Sequence, residues 1–331
     1  GKSTLFNIIA GILKPSRGRI LYKGRDITSF PSHKRCKMGI VKTSQIAQPF
    51  LNLTVFENVL VAAMYGGNLP MHKARKKADE ILGLVDLYKI KNRDAGSITI
   101  HDMKKLELAR ALATDPEVIL LDESMAGLTP SEVDKALDIL REVNEKGVTI
   151  VVVEHVMKAV MEISDRIIVM RGGEIVENAS PRDLYLKPKR IFTAYFLGET
   201  NLLVGEVTEK ARDKSIVRIG SNDLRVKGKV KPEAKRVVAA IRPEFISITK
   251  KPKRKCDNRW LCKVKSLTFT GNIIRYEVQT VDGIPILIKM PSTDEEIEAQ
   301  IGDEVYIEFS SRDVNLYPYP EEGLEKEISL E

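Results

Sequence analysis

The first residues of the chain, Gly1-Lys2-Ser3-Thr4, are of the types that a phosphate-binding loop places at the start of a helix. In the pattern G-x-x-x-x-G-K-[ST], glycine lets backbone N–H groups approach phosphates, lysine neutralises their charge, and the next hydroxyl can ligate Mg²⁺. We therefore predict that these four residues bind phosphate and that Ser3 is also a magnesium ligand. Because no start methionine is present, we expect the glycine-rich half of the motif and the strand before it to be missing.

A second chemical feature is a pair of adjacent carboxylates after the apolar run 118–121. Asp122, at the tip of a buried strand, suits holding Mg²⁺ through water, and Glu123 suits orienting or deprotonating an attacking water. Two acids that merely cap a turn are the alternative. The phosphate loop in the same chain favours the catalytic interpretation.

The elements that position these residues alternate between helical and strand patterns up to about residue 199, as in an α/β domain with a mainly parallel sheet. A helix is predicted over 2–13 and stopped by Pro15, and a capped helix begins at Thr129-Pro130-Ser131-Glu132. Residues 54–114 lack strand signals and predict a helical insert. Strands are predicted at 19–22, 39–43, 118–121, 149–153 and 166–170.

The pattern changes after residue 200 to short alternating runs separated by turn signals, which predicts a small antiparallel β-barrel over 200–320. The acidic segment 321–331 is expected to be a mobile tail. The runs lie at 204–207, 216–219, 237–241, 262–264, 273–279, 285–289 and 305–310.

Composition limits the function classes for this chain of 331 residues. No apolar run is long enough to cross a bilayer, so a membrane role must come through a partner. The net charge of +7 owes much to the basic run 250–255, which could mark nucleic acid or an anionic membrane. A solvated loop is the favoured interpretation, because no aromatic residues interleave with the run. Three cysteines predict no disulfide framework and fit a reducing compartment.

With these elements in order, the chain resembles the ABC ATPase family from residue 1 to about residue 198. Gln45 stands where the family's Q-loop glutamine contacts Mg²⁺ and the transmembrane partner, and His155 matches the switch histidine that contacts the γ-phosphate. Ala126-Gly127-Leu128 matches the D-loop that crosses between two subunits. The resemblance implies ATP and Mg²⁺ as cofactors. It also implies Glu123, His155 and Gln45 as catalytic residues.

The family's signature motif, usually Leu-Ser-Gly-Gly-Gln, is altered at Ile98-Thr99-Ile100-His101-Asp102. In the family this segment touches the γ-phosphate bound by the partner subunit. Thr99 keeps a hydroxyl, whereas Ile100 and His101 replace the glycines and Asp102 adds a charge that repels phosphate. We expect a working but altered site. His101 could be a protonation-dependent phosphate contact, although an ordinary exposed histidine is favoured.

Two finer resemblances point to different solutes. Residues 106–112 and 125–132 resemble the branched-chain amino-acid uptake branch, whereas the C-terminal part resembles the TOBE accessory barrel of importers for oxyanions, iron, polyamines and sugars. The TOBE-like pieces are Phe196-Leu197-Gly198-Glu199-Thr200-Asn201-Leu202-Leu203, Ile241-Arg242-Pro243-Glu244 and Val314-Asn315-Leu316-Tyr317.

The predicted fold is therefore a P-loop ABC ATPase domain over 1–199, with a helical insert at about 54–114, followed by a TOBE-like barrel over 200–320 and an acidic tail over 321–331. The predicted function is the ATPase subunit of an ABC transporter, and import is favoured over export by analogy alone. It implies a second ATPase subunit, identical or not, transmembrane permease subunits and, indirectly, an extracytoplasmic solute-binding protein. The expected location is cytoplasmic, on the inner face of the membrane.

Two alternatives stay open. A soluble ABC ATPase could act on nucleic acid or ribosomes through the basic barrel, although direct nucleic-acid binding is not expected. The barrel could also be regulatory and bind a small ligand that locks the transporter.

Overall fold

The computed structural model describes residues 1–44, 48–210, 214–227, 234–251, 256–292 and 299–329. Gln45 lies outside these ranges. The chain divides into two compact units, Gly1–Asp165 and Arg166–Glu331. Among the described residues, no helix is both long and apolar enough to cross a membrane.

The first unit is built around a parallel sheet in the order β3-β4-β5, which is the α/β arrangement that the sequence predicts. Its strands are β1 (Leu21–Tyr22), β2 (Arg25–Asp26), β3 (Ile40–Lys42), β4 (Val118–Asp122) and β5 (Thr149–Val153). Its helices are α1 (Lys2–Ile9), α2 (Ser32–Lys37), α3 (Val55–Tyr65), α4 (Met71–Leu84), α5 (Ile100–Ala113), α6 (Pro130–Glu145) and α7 (Met157–Ile163).

Helix α6 carries the chain from β4 back to β5, as the predicted crossover requires. Thr129 and Glu132 form the predicted capping box, in which each side chain accepts the backbone N–H of the other residue. The buried face of α6 consists of Val133, Leu137, Leu140 and Val143. The local sequence therefore determines both the start of the helix and the face that packs into the core.

Helix α1 ends at Ile9 and does not extend to residue 13, so that part of the prediction is wrong. The cause is Arg35, which is 1% exposed and donates to the carbonyls of Ile8 and Ile9 at 2.7 Å. Gly11 then adopts a positive φ of 76°, and a Cβ there would meet the Arg35 side chain at 2.8 Å. A distant guanidinium thus satisfies the carbonyls at the end of α1.

The predicted helical insert contains α3, α4 and α5, which share one apolar core with α6. Thr54 and Glu57 form a capping box at the start of α3. This part of the chain positions the altered signature segment at the beginning of α5.

The second unit is predominantly antiparallel β-structure. Its two five-stranded sheets have the orders β10-β9-β8-β11-β17 and β12-β16-β13-β14-β15, and side chains of both contribute to one core. Its strands are β6 (Ile167–Arg171), β7 (Glu174–Ala179), β8 (Asn201–Lys210), β9 (Lys214–Ile219), β10 (Asn222–Lys227), β11 (Arg236–Ile241), β12 (Ser247–Thr249), β13 (Asn258–Phe269), β14 (Ile273–Thr280), β15 (Pro285–Pro291), β16 (Glu304–Phe309) and β17 (Val314–Pro318).

The units divide at Asp165, whereas the sequence places a domain boundary near residue 199. Strand β6 pairs antiparallel with β7 in a separate sheet, so it does not extend the parallel sheet of the first unit. Helices α8 (Pro181–Leu186) and α9 (Ile191–Phe196) follow it. Ile191 and Ala194 pack against residues of β11 and β17, which explains why this segment folds with the second unit.

The first part of the acidic tail is ordered, contrary to the expectation of a mobile segment. Helix α10 spans Leu324–Ile328, and its two end residues pack on the cluster that includes α9. Arg171 donates to the carbonyls of Lys326 at 2.7 Å and Glu327 at 2.9 Å. These contacts stabilise the end of the described chain.

The Arg242-Pro243-Glu244 motif stabilises the segment that leads into β8. Arg242 is 4% exposed and donates to the carbonyl of Gly198 at 2.9 Å and to the Thr200 hydroxyl at 2.6 Å. Its guanidinium lies 4.3 Å from the centre of the Tyr185 ring, and the Tyr185 hydroxyl donates to Glu244. Burial, together with the hydrogen bond to Glu244, raises the pKa of Tyr185 to about 12.

We expect Arg242→Ala to lower the free energy of unfolding of the second unit by about 3 kcal/mol, because it removes a buried side chain and the donor for several partly buried acceptors. Trp260, the single tryptophan, is buried in this unit, so its fluorescence during urea denaturation reports the loss. The matched control is Arg218→Ala, which removes an exposed pair with Asp223 and should change stability by about 0.5 kcal/mol or less. Equal effects in the two variants would contradict this role.

Candidate active site

The candidate functional residues of the first unit lie together at one edge of its sheet. Lys42 ends β3, Asp122 ends β4 and Val153 ends β5, and the three strands run parallel. The carboxyl ends of parallel strands are where α/β folds bind their ligands. Helix α1 begins beside this edge, since Ser3 on its first turn contacts Asp122.

Ser3 and Asp122 form the pair that the sequence predicts for magnesium. The Ser3 hydroxyl donates to Oδ1 of Asp122 at 3.3 Å, and Asp122 is 1% exposed. The two groups are close enough to hold one Mg²⁺, with Ser3 as a ligand and Asp122 acting through a bound water, because oxygen donors suit this ion.

Lys42 is a further member of this group that the sequence interpretation did not single out. Its ammonium lies 3.2 Å from Oδ2 of Asp122, and both side chains are almost fully buried. Removing one partner of such a pair leaves an uncompensated buried charge, which typically destabilises a protein by about 3–5 kcal/mol. Its place in the sequence could have indicated this role. Lys42 is the last residue of the strand beside β4, so it lies at the same sheet edge as Asp122.

Glu123 and His155 are brought together as the sequence predicts for the hydrolytic part of the site. Nε2 of His155 lies 2.9 Å from Oε1 of Glu123, and the histidine side chain is 62% exposed. Glu123 has a φ of 52°, in the left-handed region that non-glycine residues rarely adopt. Its carboxylate is thus directed by a strained turn at the end of β4.

The remaining phosphate-loop residues lie at the N-terminus of α1. Gly1 is the N-cap residue, Lys2 begins the helix and Thr4 is exposed on the first turn. The backbone N–H groups at such a helix start favour an anion. Gln45, the expected Q-loop residue, lies outside the described residues.

The predicted D-loop follows Glu123 and is tied to the start of α5. Lys104 donates to the carbonyl of Ala126, and Gly127 adopts a φ of 76°. Leu128 is partly buried against the main core. The segment is therefore anchored at both sides of its glycine.

The altered signature segment forms the N-terminus of α5 and caps itself. The Thr99 hydroxyl accepts the backbone N–H of Asp102 at 3.1 Å and donates to the Asp102 carboxylate at 2.9 Å. Ile100 is 78% exposed. The start of α5 thus carries its own negative charge where a phosphate would otherwise be favoured.

His101 faces α6 and is only partly exposed, which differs from the favoured expectation of an exposed histidine. Its Nδ1 is buried and lies 3.5 Å from Oε1 of Glu132. Hydrogen bonds from Thr129 lower the pKa of Glu132, and His101 lowers it further. His101 thus connects the starts of α5 and α6.

Comparisons with known protein families match both parts of the chain. The protein-family model described as "ABC transporter" matches residues 1–126, and the model described as "TOBE domain" matches residues 239–316. The Fe(3+) ions import ATP-binding protein FbpC of Agrobacterium fabrum is 32% identical over 289 residues, which cover 87% of this chain and 79% of the relative.

Two other similar proteins match a smaller share of the chain. The high-affinity branched-chain amino acid transport ATP-binding protein LivG of Escherichia coli K12 is 35% identical over 214 residues, covering 60% of this chain and 83% of LivG. The dimeric, post-hydrolysis structure of the ATP-binding cassette MJ0796, bound to ADP and Pi, has a TM-score of 0.51 and 28% identity. That match covers 55% of this chain and 81% of the cassette.

The chain belongs to the ABC transporter family of ATP-binding proteins. It is an ATP-hydrolysing subunit of a transporter, and it carries a TOBE domain in its C-terminal part. The predicted class and fold are confirmed.

Proposed function

We propose that this chain hydrolyses MgATP with Lys2, Ser3, Asp122, Glu123 and His155, and that the cycle drives solute import by a membrane partner. The observation that carries the proposal is the Glu123–His155 contact at 2.9 Å, next to the buried Asp122 that Ser3 contacts. A base, a histidine and a metal-ligand pair at one sheet edge are the groups that phosphoryl transfer to water requires.

In this mechanism Ser3 and Asp122 would hold Mg²⁺, which supplies charge neutralisation for the phosphates. Mg²⁺ usually takes one or two protein ligands and completes its shell with substrate phosphates and water. The contact between Ser3 and Asp122 at 3.3 Å supports this assignment. Lys42 keeps the Asp122 carboxylate in position through its ion pair.

The chain's own groups perform the remaining steps. Lys2 and the N–H groups of α1 bind the β- and γ-phosphates, and Gly1 and Thr4 flank them. Glu123 orients the attacking water and accepts its proton, while His155 holds the Glu123 carboxylate and contacts the γ-phosphate. Catalysis here is mainly positioning and electrostatic stabilisation, because a loose transition state leaves little covalent chemistry to the protein.

Coupling requires a second cassette and a membrane protein. The dimeric MJ0796 structure supports a paired assembly. The family resemblance implies that α5 of one subunit, with Thr99, Ile100, His101 and Asp102, meets the nucleotide of the other. The D-loop residues 126–128 would lie at that interface, and Gln45 would sense the nucleotide. From the sequence we assign residues 1–199 to the ATPase domain and 200–320 to the TOBE domain, although residues 166–199 belong to the second compact unit of the structure.

Import is the direction that the relatives support, since FbpC is named for Fe(3+) import and LivG for branched-chain amino-acid transport. The partners are then permease subunits and, indirectly, an extracytoplasmic solute-binding protein. The ATPase would lie on the inner face of the membrane, where ATP is available. The two relatives differ in solute, and the residues described above recognise only the nucleotide.

The nucleic-acid alternative finds less support. Lys250, at the start of the basic run, is paired with Asp303 at 2.8 Å, and residues 252–255 lie outside the described ranges. A salt-sensitive shift of RNA by the purified protein would revive it.

The magnesium assignment is tested with Ser3→Ala in the full-length protein. We expect the Mg²⁺ concentration for half-maximal ATPase to rise by about tenfold, because an interaction with a charged group is worth about 1.5–3 kcal/mol. Steady-state phosphate release at fixed ATP measures it. Ser32→Ala, at an exposed position on α2, is the control. An unchanged magnesium requirement in Ser3→Ala would contradict the assignment.

A further inference from the structure

Glu154 is a half-buried carboxylate between β5 and His155 that the proposed mechanism does not use. Its Oε1 accepts the backbone N–H of Met125 at 2.8 Å and the Ser124 hydroxyl at 3.3 Å. Its Oε2 is buried and has no hydrogen-bond partner among the described residues. Burial raises the pKa of the Glu154 carboxyl, against the lowering effect of these hydrogen bonds. A carboxylate placed at this cost is expected to have a role beyond packing.

The turn to which Glu154 is hydrogen-bonded begins with the strained residue Glu123. A φ of 52° costs a non-glycine residue about 1–2 kcal/mol. Such a conformation persists only when its surroundings hold it from several sides. Two backbone hydrogen bonds hold Glu123 in this conformation. Its N–H donates to the Val153 carbonyl at 2.9 Å, and its carbonyl accepts the Ala126 N–H at 3.3 Å.

The hydrogen bonds of Glu154 to Ser124 and Met125 are the side-chain contacts that fix the next two residues of this turn. Glu154 is also the covalent neighbour of His155, whose ring contacts the Glu123 carboxylate. One half-buried side chain therefore joins the segment that carries the histidine to the turn that carries the base.

We infer that Glu154 is a positioning residue for ATP hydrolysis: it fixes the turn after β4 so that the Glu123 carboxylate meets His155 and the attacking water. The inference rests on the proposed function of Glu123. Because Glu154 acts on the turn and does not touch the phosphate-binding start of α1, its loss should lower kcat and leave the KM for ATP nearly unchanged.

The test compares Glu154→Ala and Glu154→Gln in the full-length protein. We expect Glu154→Ala to lower kcat by about 10- to 100-fold, the value of hydrogen bonds to a charged acceptor, with KM within about threefold. Glu154→Gln retains a carbonyl oxygen for Met125 and should recover kcat to within about fivefold of the unaltered protein. Glu145→Ala, at an exposed position of α6, is the control for loss of a carboxylate.

A double variant separates positioning from a general loss of structure. If Glu154 acts through Glu123, Glu154→Ala should add almost nothing to the defect of Glu123→Gln, because residues that act as one unit are not additive. Additive losses would overturn the inference, as would a raised KM with unchanged kcat. Should Glu154→Ala fail to fold, a folded Glu154→Gln variant as inactive as Glu123→Gln also overturns it.

The same assay distinguishes the two proposals. A fully active Glu123→Gln protein defeats the proposed function itself. An inactive Glu123→Gln protein together with a fully active Glu154→Ala protein defeats only the assignment of Glu154.

Discussion

Glu123→Gln is expected to lower kcat for ATP hydrolysis by about 10²- to 10⁴-fold, which is the usual contribution of a positioned general base. The amide cannot accept the proton of water, although it keeps the size of the side chain and a contact with His155. ATP binding should survive, because the start of α1 and Asp122 are untouched. The ATP-bound dimer should therefore accumulate, which size-exclusion chromatography with ATP measures beside single-turnover hydrolysis.

The matched control for this experiment is Glu142→Gln, an exposed carboxylate of α6 paired with Lys146. It should keep kcat within about twofold, as expected for a surface substitution away from the site. A Glu123→Gln protein with kcat near that of the control would mean that another group activates the water. Loss of ATP binding would instead assign Glu123 a structural role.

The sequence predicts the sheet edge well, because it depends on short-range patterns. The apolar run before Asp122, the capping box before α6 and the apolar run before His155 each identify one element. Parallel strands place their carboxyl ends together, so the Glu123–His155 contact follows from the topology. The predicted roles of these residues in hydrolysis still await the experiments above.

Contacts between distant side chains could not be predicted in the same way. Arg35 ends α1 from 26 residues away, and Lys42 pairs with an Asp122 far along the chain. Neither pairing changes the local periodicity, so no pattern in the sequence indicates it. Glu154 is missed for another reason. It lies next to His155, and the predicted role of that histidine already explains why polar residues follow the strand.

Domain boundaries also depend on packing that periodicity does not reveal. The run at 166–170 is correctly predicted as a strand, but its partner is β7 and not the parallel sheet. Strand β10 is absent from the predicted runs, because its first residues, Asn222 and Asp223, have turn propensity. Its alternation of buried Leu224 and Val226 with exposed neighbours appears only over a longer window.

Asp102→Asn is expected to strengthen ATP-driven dimerisation when it is combined with Glu123→Gln. The ATP concentration required for half-maximal dimerisation should fall by about tenfold. If α5 meets the nucleotide of the partner subunit, the Asp102 charge opposes the phosphate. Two unit charges 4 Å apart repel by about 1 kcal/mol in water and about 4 kcal/mol near a protein surface. A tenfold effect, about 1.4 kcal/mol, lies within this range. Asparagine keeps an oxygen that can accept the Thr99 hydroxyl, so the cap should persist.

Salt separates this charge effect from a change in helix stability. The advantage of Asp102→Asn should shrink as ionic strength rises, because the Debye length falls from about 10 Å at 0.1 M to about 3 Å at 1 M. Asp138→Asn, a 74% exposed carboxylate of α6, should leave dimerisation unchanged at every salt concentration. If Asp102→Asn instead weakened the dimer, the Asp102 carboxylate would be making a favourable contact across the interface. The altered signature segment would then bind a cationic group of the partner and not the phosphate.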